Sequence, residues 1–311
     1  MTAKDSIRVI VPFNGDGAAL SRVLERLAEL SLSPHDELVV VDNTETGVES
    51  ASLPSRTSLY RASVYASSYH ARNVGARDCG CTWLLFLDAD CVPDASLLER
   101  YRVPRPPRDV GAVAGGVGSG AMRGVVSQYA AARKHLDPAT TTSQRERRYG
   151  PTANLLVRAS AFAALGGFFD DIISAGDQDL CWRLQAAGWR LDFRADASVA
   201  HEHRTTVAAL WRQMLRYGSG AAWLRERHGS RSPVVTGCLR MSKGMARLFL
   251  ALPKLRRDQH AWKFACLDIV CAVAYTVGGL TGNQAHRLSE DTSSSPVLMT
   301  SYASAGRDHA T

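Results

Sequence analysis

The chain of 311 residues predicts an α/β fold in which a mostly parallel central sheet carries helices on both faces and a helical extension follows. Three observations point there. The chain opens in strand, helix, strand order. Its apolar runs at Leu38–Val41 and Trp83–Leu87 are continuous rather than alternating, as strands buried on both faces require. Polar residues stand directly after these runs, as Asp42-Asn43 and Asp88-Ala89-Asp90, where open parallel sheets gather ligands.

Each element follows from spacing. Ile7–Val11 is a short apolar strand, and Leu20, Val23, Leu24, Leu27 and Leu30 then recur at helical intervals behind an Asp16-Gly17 start. Trp83–Leu87 is the cleanest strand and reads as a central one. Gly111–Val117 is a further strand, interrupted by glycine. Met122–His135 is rich in alanine and helical, whereas the polar, threonine-rich Asp137–Arg148 reads as a mobile loop. Leu155–Val157 is a strand, Ala159–Leu165 a helix and Gly166-Gly167-Phe168 a tight turn. Asp179–Ala187 is a helix that stops at Gly188. Thr206–Arg227 forms a long amphipathic helix. Phe264–Leu280 is apolar but carries Asp268, so it reads as a packed or interfacial helix and not a membrane span. The serine-rich tail from Thr281 onward lacks periodicity and is expected to be disordered. The boundaries are a main domain over 1–230, a helical extension over 231–285 and a disordered tail over 286–311.

Hydrophobic residues make up 45% and charged residues 22%, the balance of a folded soluble protein. Met1–Ser6 is polar and leads straight into a strand, so no apolar signal segment is read and a cytoplasmic location is expected. Seven cysteines without a paired CxxC spacing are expected to be thiols, with Cys79-Gly80-Cys81 as ordinary core or surface residues. The net charge of +7 is concentrated between Arg204 and Lys263, where thirteen Lys or Arg face two acids. That region is either a solvated helical face or a surface attracted to anionic lipid or a phosphate-bearing acceptor. No nucleic-acid-binding module accompanies it.

Asp88 and Asp90 flank a small residue at a strand end, where an extended backbone would direct both carboxylates the same way. A carboxylate ending a buried strand is costly unless a cation or hydrogen bonds compensate, and Mg2+ or Mn2+ prefers such hard oxygen ligands. His201-Glu202-His203 sets two imidazoles on one face of a strand and offers a second ligand source. Asp177 either caps the helix that follows or is free for chemistry, and Arg72 and Asn73 either begin a helix or meet a ligand.

In order along the chain come Val11-Pro12-Phe13-Asn14, Val40-Val41-Asp42-Asn43, Ala71-Arg72-Asn73-Val74-Gly75, Leu87-Asp88-Ala89-Asp90, Asn154-Leu155-Leu156-Val157-Arg158, Gly166-Gly167-Phe168, Asp177-Gln178-Asp179-Leu180 with Arg183, and Val199-Ala200-His201. This ordered set resembles the family 2 glycosyltransferases, inverting enzymes of the GT-A fold that use nucleotide-diphosphate sugars, over about Ile7 to Arg227. The resemblance implies that Pro12, Phe13, Asn14, Asp42, Arg72, Asn73, Asp88, Ala89 and Asp90 bind the nucleotide sugar. It implies that Asp90 and His201 hold Mn2+ or Mg2+, with His203 only a neighbour. Asp177 falls on the general-base position, and Asn154, Gly176, Asp179 and Arg216 fall on the acceptor side.

Gly176 departs from the family pattern, which has glutamate there, and puts the acceptor subsite in question. Gln213-Met214-Leu215-Arg216-Tyr217 resembles the Gln-x-x-Arg-Trp motif of processive members, with tyrosine for tryptophan, although a Met214 and Tyr217 stripe also suits a helix core. The activity implied is inverting transfer of a sugar to the hydroxyl of a glycan, a lipid-linked acceptor or a small natural product. Competing readings are a sugar nucleotidyltransferase, disfavoured because Asn14-Gly15-Asp16-Gly17 lacks the arginine of that class's loop, and a binding protein that has lost its chemistry. Implied partners are the donor, the acceptor and, peripherally, the inner face of an anionic membrane.

Overall fold

The apolar run after Ser6 becomes β1 (Ile7–Phe13) of a computed structural model that describes residues 5–48, 53–134, 136–144, 147–251 and 259–288. After it come α1 (Gly17–Ala28), β2 (Glu37–Asp42), β3 (Thr57–Arg61), α2 (Ser68–Ala76), β4 (Trp83–Leu87) and β5 (Cys91–Pro93). The middle of the chain forms α3 (Leu97–Arg102), β6 (Val110–Ser119), α4 (Gly124–Ala132), α5 (Pro138–Thr142), β7 (Asn154–Arg158) and α6 (Ala159–Ala164). Then follow α7 (Gly176–Ala186), β8 (Arg190–His201), α8 (Val207–His228), α9 (Pro233–Ala251) and α10 (Gln259–Gly278).

The strands form one sheet in the order β3-β2-β1-β4-β7-β6-β8-β5. β1, β2, β3 and β4 run parallel, and β6 runs parallel to β8. β7 is antiparallel to both its neighbours, and β5 is antiparallel to β8. Continuous apolar runs are explained by burial on both faces. Val9, Val11, Leu85 and Leu87 pack under α1 and α3 with Leu24 and Tyr101, while Ile10, Val39, Leu84 and Phe86 pack on the other face with Phe162, Phe168 and Leu180.

A third cluster, with Val126, Tyr129, Leu210, Met214, Leu267 and Cys271, joins α4, α8 and α10. The helical extension is therefore packed onto the main domain by shared apolar surface. α8 and α10 approach so closely that a Cβ on Gly218 would lie 2.0 Å from the Tyr275 carbonyl oxygen. Among the described residues, one helix, His260–Gly278, is long and apolar enough to cross a membrane. Its Asp268 is buried and accepts hydrogen bonds from Arg133 (2.8 and 2.7 Å), Arg247 (2.8 Å) and the Tyr129 hydroxyl (2.9 Å).

Three expectations change. Disorder from Thr281 onward does not hold for 281–288, because this segment packs back against the loops that follow β3 and precede α7. Ile173 N–H donates to the Asn283 carbonyl (3.1 Å), Ala66 N–H to His286 (3.0 Å) and Leu288 N–H to Val64 (3.0 Å). Residues 289–311 lie outside the described residues. The expected loop at 137–148 contains α5, because Asp137 caps it through Ala139 N–H (3.1 Å) and Pro138 suits its first turn; residues 145–146 lie outside the described residues. Cys79 and Cys81, expected as thiols, are joined by a disulfide around Gly80, with Cα atoms 5.2 Å apart, within bridging range.

Candidate functional site

The ends of β1 and β4 open into a cleft of about 480 Å³ lined by Pro12, Phe13, Asn14, Asp88, Ala89 and Asp90. Arg72 enters it from α2, Asp177 from the start of α7, and Gln213, Arg216 and Tyr217 from α8. The sheet edge thus gathers most of the residues the sequence marks.

β4 ends at Leu87, and Asp88-Ala89-Asp90 forms a turn, closed by Cys91 N–H donating to the Asp88 carbonyl at 3.0 Å. The extended backbone expected there is replaced by this turn. Antiparallel pairing of Cys91 with His201 then brings the end of β8 alongside. Ligand atoms of Asp88, Asp90 and His201 all lie within 4.8 Å of one another. His201 Nε2 is 3.2 Å and Arg204 Nη2 3.4 Å from Asp90 carboxylate oxygens. His201 Nδ1 is buried without a hydrogen-bond partner, and Asp90 Oδ1, also buried, has no partner besides the His201 Nε2 contact. Two carboxylates, an imidazole and under-partnered buried polar atoms suit a divalent cation, so the residues fit the implied metal.

Burial pushes the Asp90 carboxyl up, but the His201 hydrogen bond and charge, with Arg204, more than offset this and hold it below its ordinary value. Burial likewise works against a proton on His201, yet Asp90 and Asp88 outweigh it and raise the imidazole. On the opposite wall, buried Arg72 pairs with Asp88, donates to Ser68 Oγ (3.1 Å) and lies over the Tyr69 ring (5.3 Å to the centroid).

Asp177 is half-buried in the first turn of α7, where its carboxylate accepts from Gln178 N–H at 2.9 Å. Burial raises its carboxyl above the ordinary value and Asp88 adds to the rise, while Gln178 N–H and Arg72 oppose it. The turn before it is held from outside the main domain. Ala175 sits in the left-handed region (φ 69°), and Asn283 Nδ2 donates to the Ser174 carbonyl at 3.0 Å. A Cβ on Gly220 of α8 would come within 2.8 Å of Ala175 Cβ.

Gly176 has a packing explanation. A Cβ there would lie 2.7 Å from the Tyr69 ring, so an aromatic ring occupies the space a glutamate would need. Burial and the nearby Asp177 charge push the Tyr69 hydroxyl well above its ordinary value.

Several marked residues lie away from the cleft. Asp42 is buried and accepts from Thr44 N–H (2.9 Å) and Val48 N–H (2.8 Å), shaping the loop after β2. Asn73 donates to the Phe168 carbonyl (2.8 Å) and Asp170 (2.7 Å). Asn154 is fully buried, donating to Gly116 and Ala197 carbonyls (2.9 and 2.8 Å) and accepting from the Tyr101 hydroxyl (2.8 Å). Asp179 is fully buried, accepting from Arg183 (2.7 Å) and engaging His228 (2.8 Å) at the end of α8. His203 lies 2.9 Å from Ser119 Oγ.

Sequence reasoning missed Tyr69, Arg204 and Asn283. Tyr69 was legible through its spacing from Arg72 on one helix face, whereas nothing near Asn283 in the chain signals a site.

Comparisons with known proteins bear on the fold and the family. A solved mannosyltransferase, PcManGT from Pyrobaculum calidifontis in complex with GDP-Man and Mn2+, superposes with a TM-score of 0.59 at 17% identity, covering 88% of this chain and 86% of that one. That likeness establishes the GT-A fold. The pre-mycofactocin glycosyltransferase of Mycobacterium tuberculosis is 29% identical over 306 residues, 88% of this chain; the chain spans 62% of that relative's length. Glycosyltransferase AglE of Haloferax volcanii is 30% identical over 150 residues, 46% of this chain and 47% of its own. The sequence pattern described as glycosyl transferase family group 2 matches residues 83–278, from the central strand β4 to the end of α10. With the carboxylate turn, Asp177 and His201 all inside the matched span, the chain belongs to the family 2 glycosyltransferases.

Proposed function

We propose that the chain moves a glycosyl group from a nucleotide-diphosphate sugar to an acceptor hydroxyl by a single displacement with inversion. The observation that carries this reading is the position of Asp177. It lines the cleft that contains Asp88, Asp90 and Arg72, and it also lines a second cavity of about 880 Å³. A general base must reach the acceptor hydroxyl while the donor's anomeric carbon lies within reach of the same oxygen. A wall shared by two cavities meets that requirement. Its raised proton affinity makes Asp177 a better base than an exposed aspartate.

On the donor side, Arg72 and Arg204 offer positive charge to the diphosphate, and Pro12, Phe13 and Asn14 wall the nucleotide end. A divalent cation on Asp88, Asp90 and His201, Mn2+ or Mg2+, supplies neutralising charge for the departing diphosphate. Asp42, both of whose oxygens meet backbone N–H groups, acts on the nucleotide through the loop it shapes. Gln213, Arg216 and Tyr217 border the path to the acceptor; burial pushes the Tyr217 hydroxyl up to about 12. Gly176, the feature that favoured a binding protein without chemistry, is accounted for by Tyr69.

Peripheral contact with the inner face of an anionic membrane belongs to the same reading. α9 exposes Val235, Leu239, Met245, Phe249 and Leu250 beside Arg240, Lys243 and Arg247, an apolar face with basic flanks.

The test is a thermal-shift panel of nucleotide diphosphates and their sugars with Mn2+, followed by turnover of Asp177→Asn. The true donor raises the melting temperature only with the cation. Asp177→Asn keeps that shift and loses transfer by roughly 10²–10⁴-fold, the usual contribution of a general base. Normal transfer by this variant would remove Asp177 from the mechanism.

A further inference from the structure

The cavity beyond Asp177 has a marked charge imbalance. Among the described residues, three arginines, Arg147, Arg231 and Arg240, line it, and Asp177 is the one acid that does. Among the described residues, no carboxylate pairs with Arg147 or Arg240. Arg147 donates to the His228 carbonyl (2.8 Å) and lies over the Trp182 ring, and Arg240 lies over the Tyr275 ring at 4.2 Å from its centroid. Arg72 and Arg204, on the far side of Asp177, already supply cations to the donor, so these three are not needed there. The basic lining continues through Arg240 into an adjoining cavity of about 370 Å³ that Lys243 also faces.

Like charges gathered in a half-enclosed space repel one another until an anion enters. Guanidinium groups present planar forks that match the oxygens of a phosphate. The rings of Tyr149, Trp182 and Tyr275 give such a molecule's body a surface to lie against. The Tyr149 hydroxyl, pushed up chiefly by burial, is also raised by Asp177 and lowered by Arg240, which places the base and this arginine around one ring.

We propose that the acceptor is a phosphate-bearing molecule, its phosphate seated on Arg240 and Arg231 and its hydroxyl presented to Asp177. This rests on the reading of Asp177 as the base between donor and acceptor.

The experiment uses the full chain with a nucleotide diphosphate and Mn2+ added first to fill the donor side. Glucose 1-phosphate, the water-soluble lipid phosphate dihexanoyl phosphatidic acid and the neutral methyl glucoside are then titrated by calorimetry. At least one phosphate probe should bind about tenfold or more tightly than methyl glucoside. Whichever of the two binds identifies a soluble or a lipid source. Arg240→Gln and Arg231→Gln should each lower that affinity about tenfold; both arginines are exposed, so their replacement leaves the fold intact, as an unchanged melting temperature verifies.

Equal binding of methyl glucoside, or wild-type affinity for phosphate in both variants, overturns the proposal. If nucleotide diphosphates bind and neither phosphate probe does, the proposal falls alone. If arginine-dependent phosphate binding occurs but no nucleotide diphosphate raises the melting temperature, the anion site stands and the donor reading falls.

Discussion

A carboxylate that is raised by burial costs stability whenever it is ionised, and Asp177 is such a group. Its folded proton affinity exceeds its unfolded one, so its contribution is neutral below the unfolded value and becomes unfavourable as pH rises through the folded value. Asp177→Asn should therefore melt at a higher temperature than the parent at neutral pH and at the same temperature in acid, while losing transfer activity. An unchanged melting temperature at neutral pH would mean that the carboxylate is not destabilised. Gly176 gives a second expectation at this scale. Gly176→Ala drives a methyl into the Tyr69 ring, 2.7 Å away, and should destabilise by about 1–3 kcal/mol. In a Tyr69→Ala background, which carries its own cavity cost, Gly176→Ala should lose most of that penalty in a double-mutant cycle of denaturant midpoints; an equal penalty in both backgrounds would separate the two residues.

Helix packing decides how the extension supports the site. α10 carries Asp268 into the contact with α4 and α9, where Arg133, Arg247 and Tyr129 satisfy it and, against burial, hold its carboxyl below the ordinary value. A depressed carboxyl contributes stability that is present above its unfolded value and is lost as pH falls through the folded one. Asp268→Ala should cost about 3 kcal/mol, the low end for a broken buried pair because both arginines are partly exposed. Its melting temperature should also lose part of the parent's decline in acid. Retention of the full decline would show that other carboxylates produce it. The segment after α10 matters to chemistry because Asn283 holds the Ser174 carbonyl three residues before Asp177.

Taken whole, the molecule presents a donor cleft at one sheet edge and an apolar, basic-flanked α9 on the extension. Sedimentation with anionic vesicles should carry the chain down at low salt and less so at high salt, because exposed charges are screened. Failure to sediment at either salt would sink membrane contact. Much of this plan was legible in the chain. Continuous apolar runs named the buried strands, and polar residues just past Phe13 and Leu87 named the cleft, because strand direction forces such residues to one edge. Asp42, Asn73, Asn154 and Asp179 match family motifs as well as Asp177 does, yet their side chains are engaged by backbone groups and neighbouring side chains that no spacing reveals. The sequence by itself determined the buried strands, the pair of carboxylates that follows β4 and a helix over Asp179–Ala187. Only the tertiary structure decided that Tyr69 fills the space above Gly176, that β8 delivers His201 to Asp90, that Asn283 returns to Ser174, and that three arginines gather beyond Asp177. These are contacts between segments distant in the chain, set by packing of both sheet faces and of α8 against α10, and local pattern carries no record of them.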